Sequence, residues 1–291
     1  MNYKKNHSGF SLVEMVMVIV LTGIIATITV QFISQPVQLY VDQANRGDLV
    51  DIVQTALHRM TRDIRRALPN SIRIVPEGNG NGTVLEYINI KQGGGGRYRE
   101  GPGPGTLATP ACRLNFIIPP GDTSFAVPGG ITGALAAGDR IVISNWNNTG
   151  PTANAYAGDN ITPAATTLTL NAPDATCSEP YITLSAPFLF PFPSPRQRFY
   201  IADNPVAYLC DTGAGTIRRY QNQAITLNQT SVDTDAELGV SALLVDNVTA
   251  CAFTYNPGTA TRGALVTLSI TASQAGESVT LVQQIHVNNI P

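Results

Sequence analysis

A short polar leader, MNYKKNHSG (Met1–Gly9), meets a long apolar run, FSLVEMVMVIVLTGIIATITV (Phe10–Val30), whose only acid is Glu14. Coiled as a helix at 1.5 Å per residue, 21 residues reach roughly 31 Å, about the thickness of one hydrocarbon core. A secretory signal has a shorter apolar region and ends at small residues resembling A-x-A, which this run lacks. A plain membrane anchor accounts for the length but not for Glu14. A carboxylate inside an apolar segment is costly without a partner, so Glu14 is a functional candidate by default. A partner appears if the chain is cut between Gly9 and Phe10. Phe10 then carries a free ammonium, and Glu14 becomes the fifth residue. Lys4 and Lys5 precede the run and the next basic residue is Arg46, an asymmetry that keeps the N-terminus cytoplasmic and sends the remainder outward.

A second helical segment follows. Leu49, Ile52, Val53, Ala56, Leu57, Met60, Ile64, Ala67 and Leu68 recur at helical spacing. Asp51, His58, Arg59, Arg62, Arg65 and Arg66 fall on the other side, and Pro69 closes the pattern. Pro36 removes one helical hydrogen bond and predicts a kink or short break near Gln31–Pro36; Gly47 is a second weak point. The expectation is a long rod, embedded in membrane over residues 10–30 and amphipathic over 31–68.

From residue 70 onward the pattern changes to short β-type runs: Ile72–Val75, Val84–Ile90, Leu114–Ile118, Arg140–Ser144, Thr167–Leu170 and Phe199–Ile201. The clearest pair is Leu265–Thr271 with Val279–Val287. In the second of these, Val279, Leu281, Ile285 and Val287 share one face, while Thr280, Gln284 and His286 share the other. Gly93–Gly105 (GGGGRYREGPGPG) reads as a mobile loop and Asn145–Thr166 as a polar surface insertion. Phe188–Pro195 (FLFPFPSP) is apolar but proline-broken and reads as a buried crossover, with an inter-subunit contact as the alternative. With 43% hydrophobic residues and abundant Gly and Pro, residues 70–291 suit a β-rich head rather than a disordered chain.

Four cysteines, Cys112, Cys177, Cys210 and Cys251, form no C-x-x-C and no zinc spacing. An even count in an exported domain predicts two disulfides, with three connectivities open. The shorter loops favour Cys112–Cys177 and Cys210–Cys251.

Motifs for other chemistry are missing. His7, His58 and His286 have no metal-ligand spacing, and neither a P-loop, H-E-x-x-H nor G-x-S-x-G occurs. Gly78–Gly82 (GNGNG) has no helix after it to make a phosphate site and reads as a turn. Asp233, Asp235 and Glu237 alternate as Ca²⁺ ligands can, but the EF-hand glycine and loop length are missing, so a solvated acidic loop is expected. Arg59, Arg62, Arg65, Arg66 and Arg73 form a basic group beside Asp51 and Asp63, which can pair with it locally. Loss of Met1–Gly9 would remove two lysines and no acid, leaving 16 basic against 20 acidic groups, a formal −4. No nucleic-acid partner, metal, cofactor or catalytic residue is expected; the arginines read as a structural or subunit-contact group.

The sequence G-F-S-L-V-E (Gly9–Glu14) before a hydrophobic run resembles the prepilin signature of type IV pilins and type II secretion pseudopilins. The resemblance implies cleavage between Gly9 and Phe10 by a prepilin peptidase, N-methylation of Phe10, and a role for Glu14 in subunit assembly. It implies an α+β fold, a long N-terminal helix packed on a largely antiparallel β-rich head. Many major pilins carry proline where this chain has Gln31. The partners implied are the peptidase, other major and minor pilins and an inner-membrane assembly platform. The head would be periplasmic and later exposed on a pilus. His58–Ile74, Gln283–Pro291 and the cysteine placement resemble the O-type minor pilins of mannose-sensitive haemagglutinin pili. That implies a non-enzymatic subunit that joins or initiates a filament. The alternatives are a J-type secretion pseudopilin, and an adhesive module that binds through the Gly93–Gly105 or Asn145–Thr166 segments.

Overall fold

The computed structural model describes residues 9–76, 82–101, 112–221, 224–227, 241–258 and 263–289. One helix, α1 (Leu12–Ile64), runs without interruption through both helical segments. The break expected at Gln31–Pro36 is absent: Pro36 lies inside the helix. A proline withdraws one N–H from the ladder, and helix on both sides carries the chain past that single loss. Beyond the membrane-length stretch, α1 buries Leu49, Val53, Ala56, Leu57, Met60 and Ile64, the stripe that a 3.6-residue period places on one face. The helix stops before the expected Leu68. Leu68 N–H donates to the Ile88 carbonyl at 2.8 Å and Ile90 N–H to the Arg66 carbonyl at 2.9 Å. Pairing with the sheet thus replaces the last helical turn.

The head is antiparallel throughout its strand pairs. β1 (Arg73–Pro76), β2 (Gly82–Arg97), β7 (Arg198–Asp211), β8 (Thr216–Gln221) and β9 (Ser241–Val245) follow one another across the largest sheet. In the same sheet β4 (Arg140–Val142) pairs with the start of β7. A second sheet is β10 (Val248–Asn256), β11 (Ala264–Gln274) and β12 (Glu277–Val287). A third places β6 (Tyr181–Phe188) between β3 (Asp122–Ala126) and β5 (Leu168–Asn171). The buried stripe of α1 packs on β9, β11 and β12. The main core joins it to Tyr87, Tyr208, Phe253, Val266, Leu268, Ile270 and Ile285. Burying each aliphatic side chain contributes about 1.5–3 kcal/mol. A second core, with Phe125, Ile141, Ile182, Phe190, Phe199 and Ile201, lies under the third sheet.

The alternation expected of β12 is present: Val279, Ile285 and Val287 are buried while Thr280, Gln284 and His286 are exposed. Three expectations are corrected. Leu114–Ile118 is not a strand, because Asn115 Oδ1 accepts from the N–H groups of Ile117 (3.1 Å) and Ile118 (2.7 Å) and turns the chain. Gly93–Arg97 is not loop but the continuation of β2, with Gly95, Gly96 and Arg97 opposite Tyr200, Phe199 and Arg198. Glycine is required where the strand crowds its surroundings: a Cβ on Gly94 would lie 2.9 Å from the Lys91 carbonyl oxygen and 3.0 Å from Ile201 Cβ. The Pro102–Gly105 part of that segment lies outside the described residues.

Asn145–Thr166 is not a surface insertion either. Asn145, Asn154, Tyr156, Asn160, Ile161 and Thr162 are buried. Most of their polar groups are paired: Asn145 Oδ1 accepts from Ala155 N–H, Asn145 Nδ2 donates to the Pro69 carbonyl, and the Tyr156 hydroxyl donates to the Ser71 carbonyl. Asn160 donates through Nδ2 to the Ser144 carbonyl, and its Oδ1 has no partner among the described residues. The Phe188–Pro195 crossover buries Phe190, which meets Phe188 edge-on at 4.7 Å.

Candidate processing and assembly site

Ser11 caps α1. Its backbone is extended and its hydroxyl accepts from Glu14 N–H at 3.2 Å. Ser11 and Glu14 therefore hold the positions of a Ser-x-x-Glu capping box, and Glu14 places a negative charge at the positive end of the helix dipole. The cap fixes where helix begins, two residues beyond the Gly9–Phe10 bond. A Cβ on Gly9 would meet nothing within 4 Å, and its φ is not in the left-handed region. Packing within this chain therefore gives no reason for glycine at that position.

Leu12–Val30 is the one helical segment, among the described residues, long and apolar enough to cross a membrane, and no part of it is buried by the protein. Its hydroxyls are satisfied internally: Thr22 donates to the Val18 carbonyl at 2.5 Å, and Thr27 and Thr29 donate to those of Ile24 and Ile25 at 2.8 Å. Such back-bonding lets threonine enter a lipid-facing helix without an unmet polar group. Glu14 alone keeps a carboxylate on that surface.

The basic group splits in two. Arg59 and Arg62 on α1, and Arg65 and Arg66 just past its end, are exposed, and Arg66 donates to the Ile90 carbonyl. Arg73 is instead buried in an ion pair with Glu86 at 3.0 Å. It also donates to the Thr226 and Leu227 carbonyls and lies 3.6 Å over the Tyr156 ring. Burial pushes the Glu86 carboxyl above its usual range, and the Arg73 charge holds it part of the way back. Asp63 does not pair with its helical neighbours; it faces the sheet and binds Arg219 of β8 at 2.9 Å. Sequence reading missed both pairs, because each joins residues from separate elements.

Two disulfides are present, Cys112–Cys177 with Cα atoms 5.8 Å apart and Cys210–Cys251 with Cα atoms 6.6 Å apart. The second joins β7 of the largest sheet to β10 of the second. Among the described residues no three His, Cys, Asp or Glu side chains gather as a metal cage. Asp233, Asp235 and Glu237 and the Gly78–Asn81 stretch lie outside the described residues.

The prokaryotic N-terminal methylation motif matches residues 4–30. No curated protein and no solved structure matches the chain. The chain thus carries the N-terminal methylation motif of type IV pilin- and pseudopilin-like prepilins on a helix long and apolar enough to cross a membrane, ahead of an antiparallel β-rich domain.

Proposed function

We propose that the protein is a minor pilin: a non-enzymatic subunit that a prepilin peptidase cleaves between Gly9 and Phe10 and that then joins, or initiates, a type IV pilus. The observation that carries this reading is the extent of bare apolar surface on α1. It does not end at Val30. Phe32, Ile33, Val37, Leu39, Tyr40 and Val41 are also exposed. Thirty residues from Leu12 to Val41 reach about 45 Å, against a hydrocarbon core of about 30 Å. Lipid covers the first part; the excess calls for other apolar rods, which a filament of pilins supplies. Glu14 recruits a neighbouring subunit's Phe10 ammonium, and the head is carried into the periplasm and outward on the filament. The His58–Ile74 and Gln283–Pro291 segments support the O-type branch of the mannose-sensitive haemagglutinin pili.

A photocrosslinking amino acid in place of Tyr40 tests the reading in living cells. Adducts with the membrane-proximal helices of other pilins, recovered from sheared pili, support it. Adducts solely with secretion pseudopilins, or no presence in sheared filaments, overturn it.

A further inference from the structure

On the head, Trp146 stands half exposed and lies face to face with Phe192, ring centroids 5.4 Å apart and planes inclined by 18°. It is the chain's single tryptophan. The ring is held in place: its Nε1–H donates to Ser144 Oγ at 3.1 Å, and that hydroxyl donates to the Pro193 carbonyl at 2.8 Å. The facing loop is equally fixed, with Ser194 N–H on the buried Tyr98 hydroxyl at 2.8 Å and Arg196 and Arg198 N–H groups on Ser194 Oγ. Trp146, Phe192, Arg97, Arg196 and Glu100 line an open cleft of about 420 Å³, within the size range of small-ligand sites. A second cleft of about 310 Å³, lined by Gly95, Gly96, Arg198 and Tyr200, shares Arg97 with the first. Among the described residues no ion pair or side-chain hydrogen bond engages the guanidinium groups of Arg97, Arg196 and Arg198 or the Glu100 carboxylate.

We propose that the two clefts form one extended site for an acidic oligosaccharide. A pyranose ring offers C–H groups on its face, which suit the negative face of an indole, and hydroxyls at its edge. Trp146, already backed by Phe192 and anchored at Nε1, accepts such a ring with little further ordering cost. Carboxylate or sulfate groups on the sugars then meet the planar donor forks of Arg97, Arg196 and Arg198. Glu100 accepts from a sugar hydroxyl. The spacing suits a chain rather than a monosaccharide, because Arg97 borders both clefts. A single-stranded nucleic acid is a poorer fit: it favours successive stacking platforms in a groove of one charge sign, whereas here one platform stands beside a carboxylate. The site goes beyond the assembly role and is independent of it.

Because Trp146 is the chain's only indole, its fluorescence reports on the cleft directly. The full-length processed protein, kept in a detergent without sugar groups, is titrated with tri-galacturonate, a sulfated heparin disaccharide, neutral maltotriose and an eight-residue oligo-dT. Acrylamide quenching of Trp146 and a saturable change with tri-galacturonate or the heparin disaccharide, weakened by salt, are expected; which of the two responds assigns carboxylate or sulfate. The double variant Arg97→Ala/Arg196→Ala, whose side chains are exposed, should weaken that binding at least about tenfold with an unchanged near-ultraviolet circular dichroism spectrum. Trp146→Ala, read by calorimetry, should do the same. An indole shielded from acrylamide, no saturable response to either acidic sugar, an equal response to maltotriose, tighter binding of oligo-dT, or arginine variants that bind normally would each overturn the proposal.

Discussion

Asp63, in the last turn of α1, accepts from Nε of Arg219 on β8 at 2.9 Å and from the Tyr208 hydroxyl on β7 at 2.8 Å. An acid at this end of a helix opposes the macrodipole, so the helix itself does not account for its placement. What it does is fasten the end of the rod to two strands of the largest sheet. Burial, with the Asp63 charge second, holds the Tyr208 hydroxyl well above its usual pKa, so it remains a donor at any working pH.

Removing that fastening should be costly. Asp63→Ala leaves the Arg219 cation, which is largely shielded from water, without its partner and is expected to lower stability by about 2–3 kcal/mol. Urea unfolding of the full-length protein in detergent micelles measures it. Arg219→Ala and the double variant complete a cycle, and the two single losses should not add. Additive losses would show that the two residues act separately.

The buried pair of Arg73 and Glu86 gives a pH-dependent prediction. Arg73→Met strands the Glu86 carboxylate and should cost about 3–5 kcal/mol at neutral pH. Glu86 already titrates above its usual range in the folded protein, mainly through burial. A raised carboxyl pKa means that its contribution to stability is full below the unfolded value and is lost as pH rises through the folded one. Without the Arg73 cation the folded value climbs further, so the variant's deficit should shrink steadily on acidification. A deficit that is flat with pH would locate the damage in lost packing on Tyr156 instead.

The disulfides should differ in what they hold. Cys210–Cys251 bridges two sheets across the main core, and removing it as a Cys→Ala pair should cost about 2–4 kcal/mol. Non-reducing peptide mapping should recover Cys112 with Cys177 and Cys210 with Cys251. Alkylation of all four thiols without reductant would contradict both bonds.

How much of this was legible in the sequence depended on whether the deciding contact was local. The α1 stripe from Leu49 to Ile64 and the inward face of β12 could be read, since each is a simple period imposed by one element against one core. The methylation motif could be read because it is contiguous in the chain. Gly93–Gly96 could not, because glycine carries no side-chain pattern and it is β7 that makes a strand of it. Asn145–Thr166 looked like surface because polarity usually marks solvent; here Asn145, Asn154 and Asn160 are buried and bond mainly to backbone groups. Trp146 and Phe192 are 46 positions apart in sequence, and only the uniqueness of the tryptophan and the aromatic run Phe188–Pro195 offered any hint.

Maturation is directly measurable. The intact mass of the membrane-extracted protein should lack Met1–Gly9 and carry one extra methyl on Phe10. A bulky Gly9→Phe replacement should abolish cleavage without disturbing the fold, because a side chain there meets nothing in this chain. A filament-borne protein that still begins at Met1 would refute the processing step.

Glu14 bears the strongest prediction. In lipid a bare carboxylate costs at least a few kcal/mol. Glu14 enters the N-terminal cap through its backbone N–H, which donates to Ser11 Oγ, and among the described residues no hydrogen bond or ion pair engages its carboxylate. Two cations can meet it once Phe10 is the N-terminus: the ammonium of its own chain, one turn away, and that of a neighbouring subunit. Methylation keeps the amine basic, so either pairing survives modification. If the same-chain pair sufficed, Glu14 would matter for insertion alone. If the neighbour's ammonium is the partner, the carboxylate sets where one rod stops along another. Glu14→Ala should therefore insert and be cleaved normally, with the Ser11 cap intact, yet be reduced at least about tenfold in sheared pili, since a buried charge-assisted contact of about 1.5–3 kcal/mol is lost. Glu14→Gln keeps an acceptor without the charge and should fall between the two. Fractionating sheared pili from membranes with an antibody to the head reads insertion and incorporation together. Glu14→Ala at wild-type levels in the pili would remove Glu14 from the assembly contact.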